Sequence, residues 1–231
     1  PSIVNRTLRI FINGRWIGVY KKAKELYDKL IKARTDGILH PHVSICWNYK
    51  ERILNLYTDG GRLIRPLYKV HKNDLVMTPD LFKQIRENKL KFEDLVLDKK
   101  CIEYIDPEES DGAAIAMTYE DLVKNKQTND FYLRYTHCEL HPSMMFGVLV
   151  SNLPYANHNQ GPRNIYQAAM GKQALGLFAT NFRDRMDTTT HILHYSQKPI
   201  VNTKPSIYVN SNDIPSGINA VVAIACYTGY N

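Results

Sequence analysis

Residues 158–173, HNQGPRNIYQAAMGKQ, combine a turn, a proline, an arginine and an unbroken run of helix formers. Gly161 can bend the chain, Pro162 suits the first helical position, and no further proline interrupts the run that follows. Arg163 is therefore expected in the first helical turn, beside several unpaired backbone N–H groups at the positive end of the helix dipole. Such a position can bind phosphate or carboxylate. Many proline-initiated helices bind nothing, so an ordinary surface arginine is the alternative.

The predicted helix carries a polar stripe along one face. Its members recur at steps of three and four residues: Arg163, Tyr166, Gln167, Met170 and Gln173. A stripe that starts with an arginine suits a phosphate-bearing ligand lying along the helix. Lys172 adds a second cation nearby.

Three other groups of reactive residues have weaker spacing. His137, Cys138 and His141 could be zinc ligands, but no second cluster completes four-coordination. Cys138 could be a nucleophile, but no third group orients His141, so a structural thiol is favoured. The acidic residues of IDPEESDG lack EF-hand spacing, and we interpret them as a solvated hairpin loop.

Composition is typical of a folded globular protein, with 231 residues, 44% hydrophobic and 23% charged. The net charge of +7 favours a polyanionic partner but does not require one. Four distant cysteines indicate neither a disulfide framework nor a zinc ribbon, so reduced thiols are expected. No apolar run reaches the roughly 20 residues of a membrane span, and the first residues do not form a signal peptide, so no membrane partner is expected.

The first half of the chain predicts short strands and helices. LRIFI and RWIGVY should form a hairpin through Asn13-Gly14, followed by an amphipathic helix that stops near Gly37. A break at Asp59-Gly60-Gly61 predicts a second hairpin or a tight strand connection. TPDLFKQIRENKL predicts a short helix capped by Thr78.

The second half, from about Tyr135, has fewer charges and more small residues. Polar groups set in apolar surroundings are typical of a buried functional centre. The run AVVAIAC at 220–226 is strand-like.

Several motifs together resemble the second-largest subunit of multisubunit DNA-dependent RNA polymerases of the RNA polymerase II type. In the second half these are THCELHPSMMFGV, NHNQGPRNIYQAAMGKQALG, RMDTTTHILHYSQKP and IPSGINAVVAIACYTGYN. In the first half FINGRWIGV, YTDGGRLIRPLY and EYIDPEE resemble that subunit's external domains. The motifs occur in the family's order and span essentially the whole chain.

The resemblance implies a mixed α+β fold in two parts. Residues 1–135 would be the external domain region, β-rich with short helices. Residues 136–231 would be the first part of the hybrid-binding region, an incomplete double-psi β-barrel of the active centre. Barrel strands such as NAVVAIACY would then need partner strands.

The resemblance also implies roles for individual residues. Arg163, the arginine of the PRN motif, would contact the phosphates of the incoming nucleoside triphosphate. Lys172 and Gln173 would lie near the RNA end of the RNA–DNA hybrid, and Gln160 and Asn164 are further nucleic-acid-binding candidates. The partners would be the largest subunit, other polymerase subunits, the DNA template, the RNA transcript and NTPs.

The family's catalytic metal is Mg²⁺, and the resemblance places it mainly outside this chain. The largest subunit would hold the first ion, and an acidic pair that follows GYN in the family would help to position the second. Because the chain stops at Asn231 without that pair, we expect no metal ligands in it and no activity from it alone. A split gene, an intein after Asn231, proteolysis or a designed truncation would each explain the ends, although Pro1 cannot follow an intein.

Two other classes are kept open: a stand-alone basic nucleic-acid-binding module without catalysis, and a small zinc hydrolase built on His137 and His141. For the polymerase subunit the expected location is the nucleus. A viral particle or the host cytoplasm is the alternative for an enzyme of a large DNA virus.

Overall fold

The structure, a computed structural model, describes residues 7–128 and 134–230. Expectations about Pro1 and Asn231 therefore lie outside the described residues. The chain divides into two units, Pro1–Met144 and Met145–Asn231, which we call the first and the second unit. The predicted division after residue 135 concerns domains of the family and stays a prediction.

The first hairpin forms where Asn13 and Gly14 reverse the chain. Their φ angles are positive, 48° and 78°, as a two-residue type I′ turn requires. Strands β1 (Leu8–Ile12) and β2 (Arg15–Tyr20) pair antiparallel on either side of the turn. The predicted hairpin is confirmed.

Two further strands, β3 (Ser44–Asn48) and β4 (Ile53–Tyr57), complete the first sheet in the order β2-β1-β4-β3. Strands β1 and β4 are parallel, and the other neighbours are antiparallel. Helix α1 (Ala23–Thr35) covers one face of this sheet, and its predicted apolar face packs on the buried side chains of Leu8, Ile45 and Leu54. Burying each large aliphatic side chain contributes about 1.5–3 kcal/mol.

The second hairpin lies earlier than the sequence predicted. Strands β3 and β4 pair through the turn at residues 49–52. Asp59-Gly60-Gly61 instead lies in the connection from β4 to β5, the first strand of the second sheet, so of the two predicted alternatives the structure has a strand connection there and not a hairpin. Glycines indicate that the chain turns, but not which strands pair across the turn.

The second sheet is built around β5 (Arg65–His71). It contains four more strands: β6 (Asp74–Leu75), β7 (Ile102–Ile105), β8 (Ile115–Ala116) and β9 (His137–Glu139). Strand β5 pairs antiparallel with β6, β7 and β9, and β8 runs parallel to β9. Strands β7 and β8, predicted as the two arms of a hairpin around the acidic residues, do not pair with each other.

Within the described residues, four helices lie in the segments that connect the strands of the second sheet. They are α2 (Pro79–Arg86), α3 (Phe92–Leu97), α4 (Pro107–Ser110) and α5 (Tyr119–Thr128). Buried clusters around Met77, Leu95 and Ile102 and around Ala116, Leu122 and Cys138 form this part of the core. Thr78 precedes α2 as predicted, but its side chain makes no capping hydrogen bond.

The second unit contains helices and irregular chain, with no strand in its described residues. Its α-helices are α6 (Val148–Ser151), α7 (Gly161–Met170) and α8 (Lys204–Tyr208). The strand-like run at 220–226 belongs to neither a helix nor a strand. The mixed α+β class is confirmed for the chain as a whole. No helix in the described part of the chain is long and apolar enough to cross a membrane.

Candidate functional site

Helix α7 begins where the sequence predicted. Gln160 occupies the N-cap position, Gly161 opens the helix, and Pro162 lies in the first turn. Proline is suited to this turn because its fixed φ angle is already helical and its missing N–H would not be used. Arg163 therefore lies at the third helical position, within the first helical turn as predicted.

The backbone at this helix start offers fewer free donors than the sequence predicted. Pro162 has no N–H, and the N–H of Arg163 donates to the carbonyl oxygen of Gln160 at 3.0 Å. Two of the four amide positions at the helix start are thus closed to a ligand. The expectation of several unpaired N–H groups is wrong to this extent, so recognition of an anion here depends mainly on the side chain of Arg163.

The guanidinium of Arg163 is exposed and free to bind. Its Cζ lies 5.5 Å from the centroid of the Tyr166 ring, three residues further along the helix. Within the described residues no carboxylate lies within ion-pair distance of it. The tyrosine ring supports the guanidinium without neutralising its charge.

The other predicted nucleic-acid contacts lie on the same segment but differ in exposure. Lys172 and Gln173 are exposed in a 3-10 turn, Gly171–Gln173, that directly continues α7. Gln160 is also exposed, and its side chain makes no capping bond. Asn164 is half-buried and its Nδ2 donates to the carbonyl of Ala156 at 2.9 Å, so this side chain holds the preceding turn.

His137, Cys138 and His141 do not come together as a metal site. His137 Nε2 donates to Oε2 of Glu103 at 2.9 Å, whereas His141 pairs with the hydroxyl of Ser143 at 2.6 Å. Burial raises the pKa of Cys138, which lies in the core. The described residues contain no group of three His, Cys, Asp or Glu side chains that could hold a metal ion.

The acidic stretch is only partly solvated: Glu108 and Asp111 are exposed as predicted, but Asp106 and Glu109 are buried and the strands on either side form no hairpin. Asp106 caps the short helix α4 by accepting from the N–H of Glu109 at 2.7 Å. Glu109 is buried and binds the guanidinium of Arg34 through two hydrogen bonds of 2.6 and 2.8 Å. Arg34 also donates to Glu103 at 2.7 Å. This cluster, which we call the Arg34 network, joins α1 to the second sheet.

Glu103 is held ionised inside this network. Burial alone raises the pKa of its carboxyl, but the hydrogen bond from His137 and the charges of Arg34 and Lys69 outweigh burial and lower the pKa to about 2, from an ordinary 4.5. A carboxylate with a depressed pKa stabilises the folded state above its unfolded pKa. That contribution is lost as pH falls from about 4.5 towards 2.

Sequence reasoning missed the Arg34 network, although two signals were present. Arg34 follows Ile31 by three residues and Leu30 by four, so it shares the apolar face of α1. Asp106, proline and Glu109 occupy the N-cap, N1 and N3 positions of a helix start, a common helix-initiating pattern. No local pattern in the sequence predicts that Arg34 pairs with Glu103 and Glu109.

Three protein-family models match the chain in succession. They are RNA polymerase Rpb2 domain 4 at residues 10–71, domain 5 at residues 92–142 and domain 6 at residues 149–231. Together they define the class as consecutive domains of a large RNA polymerase subunit.

Individual relatives agree with the models. The chain is 41% identical over 231 residues to DNA-directed RNA polymerase II subunit RPB2 of Encephalitozoon cuniculi, covering 100% of this chain and 20% of that protein. It is 40% identical over 236 residues to DNA-directed RNA polymerase II subunit 2 of Arabidopsis thaliana, with the same coverages. DNA-directed RNA polymerase subunit 2 of Acanthamoeba polyphaga mimivirus is 35% identical over 248 residues, covering 98% of the chain and 20% of that protein.

The chain belongs to the family of Rpb2-type second-largest subunits of DNA-directed RNA polymerases. It spans about a fifth of the length of these curated relatives.

Proposed function

We propose that this chain contributes to template-directed RNA synthesis within a multisubunit polymerase, and that Arg163 contacts the triphosphate of the incoming NTP. The observation that carries this proposal is the geometry of Arg163. Its guanidinium is exposed and has no carboxylate partner in the described residues, and it lies at the positive end of a ten-residue helix. The family membership supports RNA synthesis as the reaction. The exposed side chain of Arg163 at the helix start supports the anion site.

The chemistry expected of this side chain is positioning and charge neutralisation. Phosphoryl transfer is catalysed chiefly by holding the reacting groups in line and by stabilising the charge on the phosphate oxygens. A guanidinium can donate two parallel hydrogen bonds to such oxygens. Lys172 and Gln173 would lie beside the RNA end, with Gln160 at the same helix start and Asn164 holding the turn behind it.

The magnesium ions of this chemistry would be held outside the described residues, which lack a cluster of three metal-ligating side chains. When bound, Mg²⁺ would supply charge neutralisation at the reacting phosphate. Arg163 would act beside it on the triphosphate.

We also propose that residues 1–135 form the external domain region and residues 136–231 the start of the hybrid-binding region with its double-psi barrel. The exposed apolar run at 220–226 supports this proposal, because a barrel strand without its neighbours would leave such a run uncovered. The remaining strands would come from other parts of the polymerase. The partners would be the largest subunit, other polymerase subunits, DNA, RNA and NTPs. The proposed location is the nucleus, or a viral particle or host cytoplasm if the enzyme is viral.

The test is the replacement Arg163→Ala in the intact polymerase that contains this sequence. Losing one charged contact to phosphate should raise the NTP concentration for half-maximal elongation roughly tenfold or more. Arg163→Lys should recover part of the loss, because it keeps the charge but not the two-pronged geometry. The measurement is elongation rate against NTP concentration on a fixed template.

Arg15→Ala is the matched control, since Arg15 is also an exposed arginine but lies on β2 in the first unit. It should leave the NTP dependence unchanged. If Arg163→Ala also left it unchanged while RNA or DNA binding persisted, the basic nucleic-acid-binding module would be the better description of this chain.

A further inference from the structure

Strand β3 has an outer edge that no described strand covers, although Glu109 of α4 reaches this edge at Ile45. It is the last strand of the first sheet, and no described strand lies on its outer side. In antiparallel pairing, alternate residues direct both N–H and C=O away from the neighbouring strand. Ile45 is one of these outward residues, because its N–H points to Oε2 of Glu109 at 3.5 Å. Trp47, two residues further on, therefore directs its N–H and C=O to the open edge.

A groove of about 660 Å³ runs along this edge within the first unit. Its lining includes Ile45 and Trp47 of β3, Tyr49 of the turn after β3, and Gly112 and Ala113 of the loop after α4. The volume is in the range of pockets that bind small ligands. It can hold one side chain together with a short stretch of extended backbone.

Three aromatic rings form one wall of the groove. The ring centroids of Tyr27 and Trp47 are 5.3 Å apart, and those of Trp47 and Tyr49 are 4.1 Å apart. Tyr49, at the open end of the stack, is 66% exposed. The negative face of an aromatic ring attracts a guanidinium or an ammonium group.

The charges that line the groove are mainly negative. Glu108 and Asp111 are exposed, and neither forms an ion pair with a described residue. Burial and the neighbouring carboxylate of Glu108 raise the pKa of the Tyr57 hydroxyl to about 12. Glu109 is already neutralised by Arg34. The cation on the rim is Lys50, in the exposed turn after β3.

We propose that this groove binds an extended segment of a partner polypeptide, which pairs its backbone with Trp47 at the edge of β3 and places an arginine or lysine side chain between the aromatic wall and the carboxylates of Glu108 and Asp111. Backbone pairing at a sheet edge supplies affinity, and a side-chain pocket supplies specificity. The same carboxylates would repel the phosphates of a nucleic acid, so a basic peptide is the matching ligand. This inference is independent of the role proposed for Arg163.

The test uses the full chain in a Trp16→Phe background, where Trp47 is the remaining tryptophan and reports on the groove. The probe is acetyl-Val-Thr-Arg-Thr-Val-amide, compared with the same peptide carrying glutamate in place of arginine. The arginine peptide should change Trp47 fluorescence in a saturable way, at least about tenfold more tightly than the glutamate peptide. An analogue N-methylated at its backbone should also bind at least about tenfold more weakly, because it cannot pair with the edge.

Matched variants locate the site. The pair Glu108→Gln and Asp111→Asn should weaken binding of the arginine peptide about tenfold, whereas Glu120→Gln and Asp98→Asn, which remove exposed carboxylates elsewhere in the first unit, should not. Equal binding of the two peptides would overturn the proposal, as would equal binding of the N-methylated analogue. If the arginine peptide bound only to the Lys50→Ala variant, the proposal would also be overturned. In that case the side chain of Lys50 would already occupy the groove.

Discussion

At the scale of single residues, Arg34 stabilises the first unit by joining α1 to the second sheet. It is 4% exposed and its guanidinium lies between two carboxylates from a part of the chain about 70 residues away. Arg34→Ala would leave Glu109 buried without its ion-pair partner, and Glu103 with His137 and Lys69. Breaking a buried ion pair in this way costs about 3–5 kcal/mol. Urea unfolding of the full chain, followed by tryptophan fluorescence, should show that loss.

Lys29 provides the matched control on the same helix. It pairs with Glu25 at 2.9 Å, but both side chains are largely exposed to solvent. Solvent screens an exposed pair of this kind, and holding two long side chains together costs entropy, so Lys29→Ala should hardly move the unfolding midpoint. Similar losses for the two variants would show that the Arg34 network does not hold α1 to the second sheet.

The positions of single residues were predictable where local spacing decides them. The preference of proline for a helix start predicts the first turn of α7. The position of Arg163 in that turn was predicted correctly for this reason. The partners of Arg34 were not predictable, because no local pattern links residue 34 to residues 103 and 109. Spacing alone could have shown that Arg34 is buried, but not what neutralises it.

At the scale of elements, the Asn13-Gly14 turn allows a direct test of backbone strain. Gly14 has a φ of +78°, and a Cβ added there would meet no atom within 4 Å. Gly14→Ala should therefore destabilise the chain by about 1–2 kcal/mol through its left-handed backbone alone. Gly18, on the neighbouring strand β2, is equally open but lacks a positive φ. Gly18→Ala should be neutral or stabilising in the same urea titration, and an equal loss at both positions would contradict this account.

Elements were predictable when their signal was local, and their pairing was not. The Asn-Gly hairpin and helix α1 can each be predicted from their own residues. The break at Asp59-Gly60-Gly61 was correctly placed as a turn, yet it carries the chain into another sheet. Strand β9 similarly finds its neighbours β5 and β8 across long sequence separations. Such pairings depend on which apolar faces pack together, so a turn signal cannot fix them.

At the scale of the whole molecule, the two units differ in how they are stabilised. The first has a buried core between sheets and helices, whereas in the described residues of the second only Ser206 is buried. The second unit is held by contacts that leave its side chains largely exposed, such as the close approach of Gly176 to Ser216, where an added Cβ would lie 2.9 Å from the backbone. Its apolar side chains at 220–226 are exposed.

A matched pair of isoleucines tests this difference. Ile224 is 99% exposed and Ile45 is 0% exposed. Ile45→Thr should destabilise the isolated chain by about 2–4 kcal/mol, because it removes buried apolar surface and buries a hydroxyl. Ile224→Thr should change the free energy of unfolding by less than about 0.5 kcal/mol. In the intact polymerase the proposed barrel would cover Ile224, so there the same change should weaken co-purification with the largest subunit. Loss of stability in the isolated chain would show instead that the run at 220–226 packs within its own unit.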